Sequence, residues 1–233
     1  MKVAIKRISS DPLGLLGLCL VTLMVVSALG ASIFAPYDPI QLNIMDRLQG
    51  PSANHLLGTD QLGRDLFSRV LFGGQVALKV AFLTIGLALI VGIVLGLIAG
   101  YGPAWLDNSI MLLFDTIRSV PTIMLALAAV AVVGPSITTV IFVIAVSSIP
   151  NYGRIVRTQT LTIKSKDFVN AERLMGASLL RILSIHLLPN ILGPLLILAS
   201  MDIPTIIALE AGLSFLGMGV KPPTPSWGSI LND

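Results

Sequence analysis

The chain has 233 residues, 55% of them hydrophobic and only 12% charged, with a mean hydropathy of +0.91. Soluble domains carry about a quarter charged residues and disordered chains are poor in apolar ones, so both classes are excluded. A net charge of +3 with few aromatics argues against a nucleic-acid partner, and the single cysteine, Cys19, allows no internal disulfide; no Cys/His cluster has metal-ligand spacing.

This is the composition of an integral membrane protein, and membrane lipid is its first partner. A span takes about 20 apolar residues. Residues 13–34 form the first such run, behind Lys2, Lys6 and Arg7. The run outlasts the roughly 7–15 apolar residues of a secretory signal, so it is expected to stay uncleaved. The second span, 80–101, carries Gly92, Gly96 and Gly100 on one helical face, a pattern that lets another helix backbone approach. A third is expected over 107–133, with Asp115, Arg118 and Pro121 near its start. Asp115 and Arg118 lie three apart on one face and are predicted to pair. The fourth, 136–156, follows Gly134-Pro135. The fifth, 190–215, is interrupted by Pro194, Asp202, Pro204 and Glu210.

Orientation follows from the basic residues. With the N-terminus inside, Lys2, Lys6, Arg7, Arg118, Arg154, Arg157, Lys164, Lys166, Arg173 and Arg181 fall inside, against Arg47, Arg64, Arg69, Lys79 and Lys221 outside. The chain reads as one membrane domain, 1–233, with an outer polar segment at 35–74 and a cytoplasmic loop at about 157–188.

In the outer segment Asp60, Arg64, Asp65 and Arg69 alternate in sign at helical spacing, which predicts a solvated, self-paired helix face. His55 is expected to bond locally. In the inner loop Asp167 or Ser165 is a candidate N-cap, and Phe168, Ala171, Met175 and Leu179 form a stripe on one side of a helix. Gly176 either ends that helix or bends it, and Pro189 suits the first turn of the next span. Periodicity alone favours the lipid surface for this amphipathic helix over the groove of a soluble partner. Asp202 lies about 18 Å beyond Asn190 along a helix, near mid-membrane. An ionisable group there marks either a polar point on a substrate path or a contact with another helix.

Several stretches resemble a known family. His55-Leu56-Leu57-Gly58-Thr59-Asp60-Gln61-Leu62-Gly63-Arg64-Asp65-Leu66-Phe67-Ser68-Arg69 looks like a segment between spans one and two of permease subunits of binding-protein-dependent ABC importers. The nearest type is the second permease of dipeptide, oligopeptide and nickel systems. Leu213-Ser214-Phe215-Leu216-Gly217-Met218-Gly219-Val220, then Pro222-Pro223-Thr224-Pro225-Ser226-Trp227-Gly228, is similar to the segment after span five; Tyr152, Arg154, Val156 and Arg157 fit the end of span four. The cytoplasmic signature, Glu-Ala-Ala with a later Gly and a Leu-Pro ending, is met at Ala171, Gly176, Leu188 and Pro189; Asn170, Glu172 and His186 depart from it. Gly176-Ala177-Ser178 and His186-Leu187-Leu188-Pro189-Asn190 fit the subfamily form.

The resemblance implies an all-α, polytopic permease of the six-span type I ABC importer fold, of which five spans are visible. It implies a bacterial or archaeal plasma membrane and import of short peptides, nickel or glutathione. Its partners would be a homologous second permease, two cytoplasmic ATPase subunits and an extracytoplasmic binding protein. The coupling loop to the ATPases would include Asn170, Ala171, Glu172, Arg173, Gly176, Ala177, Ser178 and Pro189. Glu210 falls in a family stretch and would be a structural or gate residue near the outer boundary; with Asp202, placed by the membrane argument above, it is a candidate for the translocation path. Gly58, Thr59, Asp60, Gly63, Arg64 and Asp65 would lie in the outer segment beside the binding-protein docking surface.

The sequence holds no Gly-x-x-x-x-Gly-Lys-Ser/Thr loop, no nucleophile elbow and no His-Glu-x-x-His. No catalytic or metal site and no bound cofactor is therefore expected, and ATP would be used by partner subunits. A secondary transporter would show inverted repeats with matching broken helices, and no counterpart to span five is found in the first half. A non-transporting assembly subunit is the other alternative. The chain stops at Leu231-Asn232-Asp233, before the sixth apolar run that the resemblance implies, which reads as a truncation or else as a natural five-span form.

Overall fold

The computed structural model describes residues 11–233, in which helices are the only extended elements. Lys2, Lys6 and Arg7, used above to orient the chain, lie outside the described residues. Four described helices are long and apolar enough to cross a membrane, or five if one bent pair counts as a single span. The chain divides into two compact units, one of residues up to Lys79 with Ser214–Asp233, the other Val80–Leu213.

In the first unit, α1 (Pro12–Leu29) starts where Asp11 accepts the Leu13 N–H at 3.1 Å, with Pro12 at the first helical position. Its Leu and Val side chains are almost all exposed, the surface a membrane-embedded helix presents. A short helix α2 (Ala31–Phe34) follows, then irregular chain with a 3₁₀ turn at Ile44–Asp46. Helix α3 (Leu66–Tyr101) starts directly after Asp65, whose Oδ2 accepts the Ser68 N–H at 2.8 Å. A Cβ on Gly74 would stand 3.0 Å from the Cβ of Ala28, so α1 and α3 touch closely there. The short helix α9 (Trp227–Asn232) carries reciprocal Ser226 and Ser229 caps, and Trp227 Nε1 donates to the Val70 carbonyl at 3.0 Å.

In the second unit, the glycine stripe on α3 is a helix-packing seam. A Cβ on Gly96 would fall 2.5 Å from the Gly153 carbonyl and 2.6 Å from Val156 Cβ; Gly92 and Gly100 face Tyr152 and Thr160 in the same way. The partner is α6 (Ile137–Lys164), capped by Ser136. On α6, Gly153 makes room for the buried ring of Phe114 from α4.

The expected third span is two helices, α4 (Ala104–Ser119) and α5 (Thr122–Val133), bent by 82°. Pro121 disfavours helical backbone at the residue before it, and Val120 is extended at φ −99°, ψ 127°. Helix α6 runs on to Lys164, past the expected end of the fourth span. A short helix α7 (Asp167–Leu174) follows, and α8 (Leu179–Phe215) is continuous through a π turn at Ile182–Leu187. Pro189 is thus inside α8 rather than in its first turn. It lacks the N–H and crowds the preceding carbonyls, and the widened turn lies just before it.

Candidate functional site

Three places carry the residues singled out from the sequence. In the first unit the outer segment is held by two tight turns. Gly63 has φ +73° and a Cβ there would lie 1.7 Å from the Asn43 carbonyl oxygen; Gly58, at φ +79°, would meet the Gln49 carbonyl at 2.4 Å. Only glycine fits either position. The turns bring Asp60, Arg64 and Arg69 together. Asp60 Oδ1 accepts the backbone N–H groups of Leu62 (2.8 Å) and Arg64 (3.0 Å), and its Oδ2 accepts Arg64 Nε at 2.7 Å and Arg69 Nη1. Both arginines also donate to Asp233 Oδ2, at 2.7 and 2.6 Å.

These charges are 5%, 6% and 2% exposed, and Asp60 and Arg64 precede the helix. The expected solvated helix face is therefore corrected to a buried ion network on a turn, because Asp233 and the loop N–H groups of Leu62 and Arg64 replace water. Burial pushes the Asp60 carboxyl up, but the N–H groups of Arg64 and Leu62 and the Arg64 guanidinium outweigh it and hold the carboxyl below its ordinary range. Asp65 is separate: Oδ1 meets His55 Nδ1 at 2.9 Å and Oδ2 accepts Ser68 Oγ at 2.7 Å. His55 bonds locally, as expected. Thr59 Oγ1 accepts the Gln49 N–H at 2.9 Å and donates to the Asp46 carbonyl.

In the second unit, α7 ends in a Schellman turn. The Gly176 N–H donates to the Arg173 carbonyl and the Ala177 N–H to the Glu172 carbonyl, each at 3.0 Å, with Gly176 at φ +81°. Gly176 therefore stops the helix, and the predicted stripe is divided between α7 and α8. Neither Ser165 nor Asp167 caps α7; Lys166 holds that position without a side-chain bond, and Asp167 lies in the first turn. Asn170 and Ala171 are exposed on α7, and Ser178 caps α8. Glu172 approaches His186 at 3.4 Å, while Arg173 Nε donates to the Tyr101 hydroxyl at 3.1 Å and its guanidinium lies over that ring. Around the turn Leu174, Met175, Leu179 and Leu180 are all exposed, from 51% to 90%.

At the α4–α5 break a cleft of about 290 Å³ opens between the break, α6 and α8. Asp202 is in its wall, with Oδ2 accepting the Tyr152 hydroxyl at 2.8 Å. Arg118 lines the same cleft and donates to Asn151 Oδ1. The expected Asp115–Arg118 pair is not formed, since Asp115 bonds to Arg154 and Arg118 to Asn151, both on the neighbouring α6. Glu210, further along α8, is fully buried and outside this cleft. Sequence reasoning missed Asn151 and the pairing of Asp107 with Arg157, whose Nη2 reaches Oδ2 at 2.6 Å. Polar residues spread along both α4 and α6 were the local signal, and their spacing does not say which of them meet.

A sequence model described as the binding-protein-dependent transport system inner membrane component matches residues 92–233. The chain belongs to this family. A second model, the N-terminal transmembrane domain of oligopeptide transport permease C, matches residues 1–51. The dipeptide transport system permease protein DppC of Alkalihalophilus pseudofirmus is 38% identical over 99% of this chain and 76% of its own length. The di/tripeptide permease DppC of Pseudomonas aeruginosa is 41% identical over 92% and 73%, and the glutathione permease GsiD of Pectobacterium atrosepticum 40% over 91% and 71%. The inward-facing MetNI methionine ABC transporter shares the fold in two crystal forms. TM-scores are 0.58 and 0.54, identities 22% and 20%, over 65% and 68% of this chain and 76% and 84% of that one. The permease is thus a membrane-spanning subunit of an ABC importer, which replaces the secondary-transporter and assembly-subunit alternatives.

Proposed function

We propose that this permease forms half of the path for short peptides, or for glutathione, delivered by an extracytoplasmic binding protein, and that ATP is hydrolysed by two partner ATPases. Its relatives are named for dipeptide, di/tripeptide and glutathione transport, and all these solutes are short peptides or peptide-like. The N-terminus and the α7–α8 turn face the cytoplasm of a bacterial or archaeal cell, and the buried ion network at Asp60 stiffens the outer segment beside the binding protein.

The observation that carries the coupling role is the exposed apolar set Leu174, Met175, Leu179 and Leu180 around the Gly176 turn, between two membrane-length helices. Such a set on a loop rimmed by Asp167, Glu172 and Arg173 suits the cleft of a soluble partner. Because α8 continues from Leu179 without interruption, a push on this turn is carried into the helix that holds Asp202.

The test is co-purification of the tagged permease, followed by uptake of dialanine into proteoliposomes of whatever assembles. Recovery of a second permease and ATPases, with uptake that needs ATP and the binding protein, is the expected result. Uptake driven by an ion gradient in the absence of ATPases would overturn the reading.

A further inference from the structure

We infer that the cleft at the α4–α5 break is a resting site for a short peptide carried as a zwitterion, Asp202 receiving its ammonium group and Arg118 its carboxylate. The inference rests on the peptide-permease reading and adds a site to it. The two side chains carry opposite charge in the wall of one cleft of about 290 Å³, at the small end of ligand pockets, where about 300 Å³ is the lower bound. That is room for a short peptide.

The details favour a ligand over a purely structural polar pair. Among the described residues no basic side chain pairs with Asp202, whose one bond is to the Tyr152 hydroxyl through Oδ2. A carboxylate in an apolar helix is costly unless something cationic or aqueous meets it. Tyr152 fixes its orientation and leaves Oδ1 for a donor. In the same wall the buried Ser147 Oγ has no partner, a polar contact available to a peptide amide. Arg118 is exposed and tethered only to the neutral Asn151 side chain, so its charge is uncompensated. Val120 and Leu209 offer apolar surface for peptide side chains without selecting among them. The cleft is open, which suits a path in which a solute must both enter and leave.

The test is thiol protection in the assembled importer, reconstituted with its partners, using Thr205→Cys on the exposed α8 wall in a Cys19→Ser background. Thr122→Cys, on the α5 wall, is the second reporter in case the first does not assemble. Dialanine is expected to slow labelling, whereas N-acetyl-dialanine and dialanine amide, each lacking one charge, need about tenfold more to do so, the loss of one charge-assisted bond. Asp202→Asn is expected to abolish the handicap of the acetylated peptide, and Arg118→Gln that of the amide. Equal protection by all three ligands, or none, overturns the site. Uptake of dialanine and of glutathione is followed in parallel: dialanine uptake without protection sinks this inference and leaves the peptide-permease reading standing, whereas uptake of neither by the intact assembly sinks that reading itself.

Discussion

Arg69 and Asp233 are 164 residues apart in the chain, yet Arg69 Nη2 lies 2.6 Å from Asp233 Oδ2, and the same guanidinium reaches Asp60. One arginine, 2% exposed, therefore ties the turn before α3 to the residue after α9. Arg69→Met leaves Asp60 buried with one cation instead of two. Breaking a buried pair in this way costs about 3–5 kcal/mol. Asp233→Ala is expected to cost less, because that side chain is 32% exposed and water replaces part of what is lost. Protease sensitivity of the outer segment in purified permease, followed against temperature, ranks the two. An equal effect would contradict the burial argument.

The same network sets a pH dependence. Asp60 has its folded pKa below its ordinary value of 3.8, so the stability it contributes is complete above 3.8 and is lost as pH falls through the lower folded value. Protection of the outer-segment amides against hydrogen exchange, corrected for the intrinsic rate, is expected to be flat from neutrality to about pH 4 as far as Asp60 is concerned. It falls below that, and Asp60→Asn removes the fall. A fall of the same size in the variant would assign it elsewhere.

On the membrane side, Gly96→Ile places a branched side chain where even a Cβ lies 2.5 Å from the Gly153 carbonyl. Both backbones must shift, and overpacking of this kind costs about 1–3 kcal/mol or more. The expected outcome is a permease that inserts but loses thermal stability in detergent. Gly86→Ile, where a Cβ meets nothing within 4 Å, is the control expected to behave as the parent.

What was legible in the sequence, and what was not, follows the range of the interactions. The apolar runs and the Gly92, Gly96, Gly100 stripe announce helices and a packing seam, because both signals are local and periodic. The buried state of Asp60, Arg64 and Arg69 was not legible, since it depends on Asp233, more than 160 residues away, and on the loop N–H groups of Leu62 and Arg64. Alternating charge at helical spacing is what an exposed helix also shows. Asp115 and Arg118 look like natural partners at three residues' separation, but each finds a partner on α6, which sequence spacing cannot reveal. The bend at Pro121 was present as a signal and was outweighed by the apolar residues on either side of it. In the inner loop the stripe through Met175 and Leu179 has helical spacing although Gly176 divides it between two helices.

That glycine gives the most direct test of the coupling loop. Gly176 at φ +81° closes the Schellman turn, and a Cβ there would meet nothing within 4 Å, so the demand is on backbone conformation alone. An ordinary L-residue pays about 1–2 kcal/mol in this region. Proline, locked near −65°, cannot adopt it at all and also removes the N–H that donates to the Arg173 carbonyl. Gly176→Asn, which tolerates the left-handed region, is expected to keep transport, Gly176→Val to reduce it, and Gly176→Pro to abolish it while insertion and the ion network around Asp60 remain intact. ATP hydrolysis stimulated by the loaded binding protein is the measurement. Normal stimulation in the proline variant would mean that the turn does not carry the signal between the ATPases and α8.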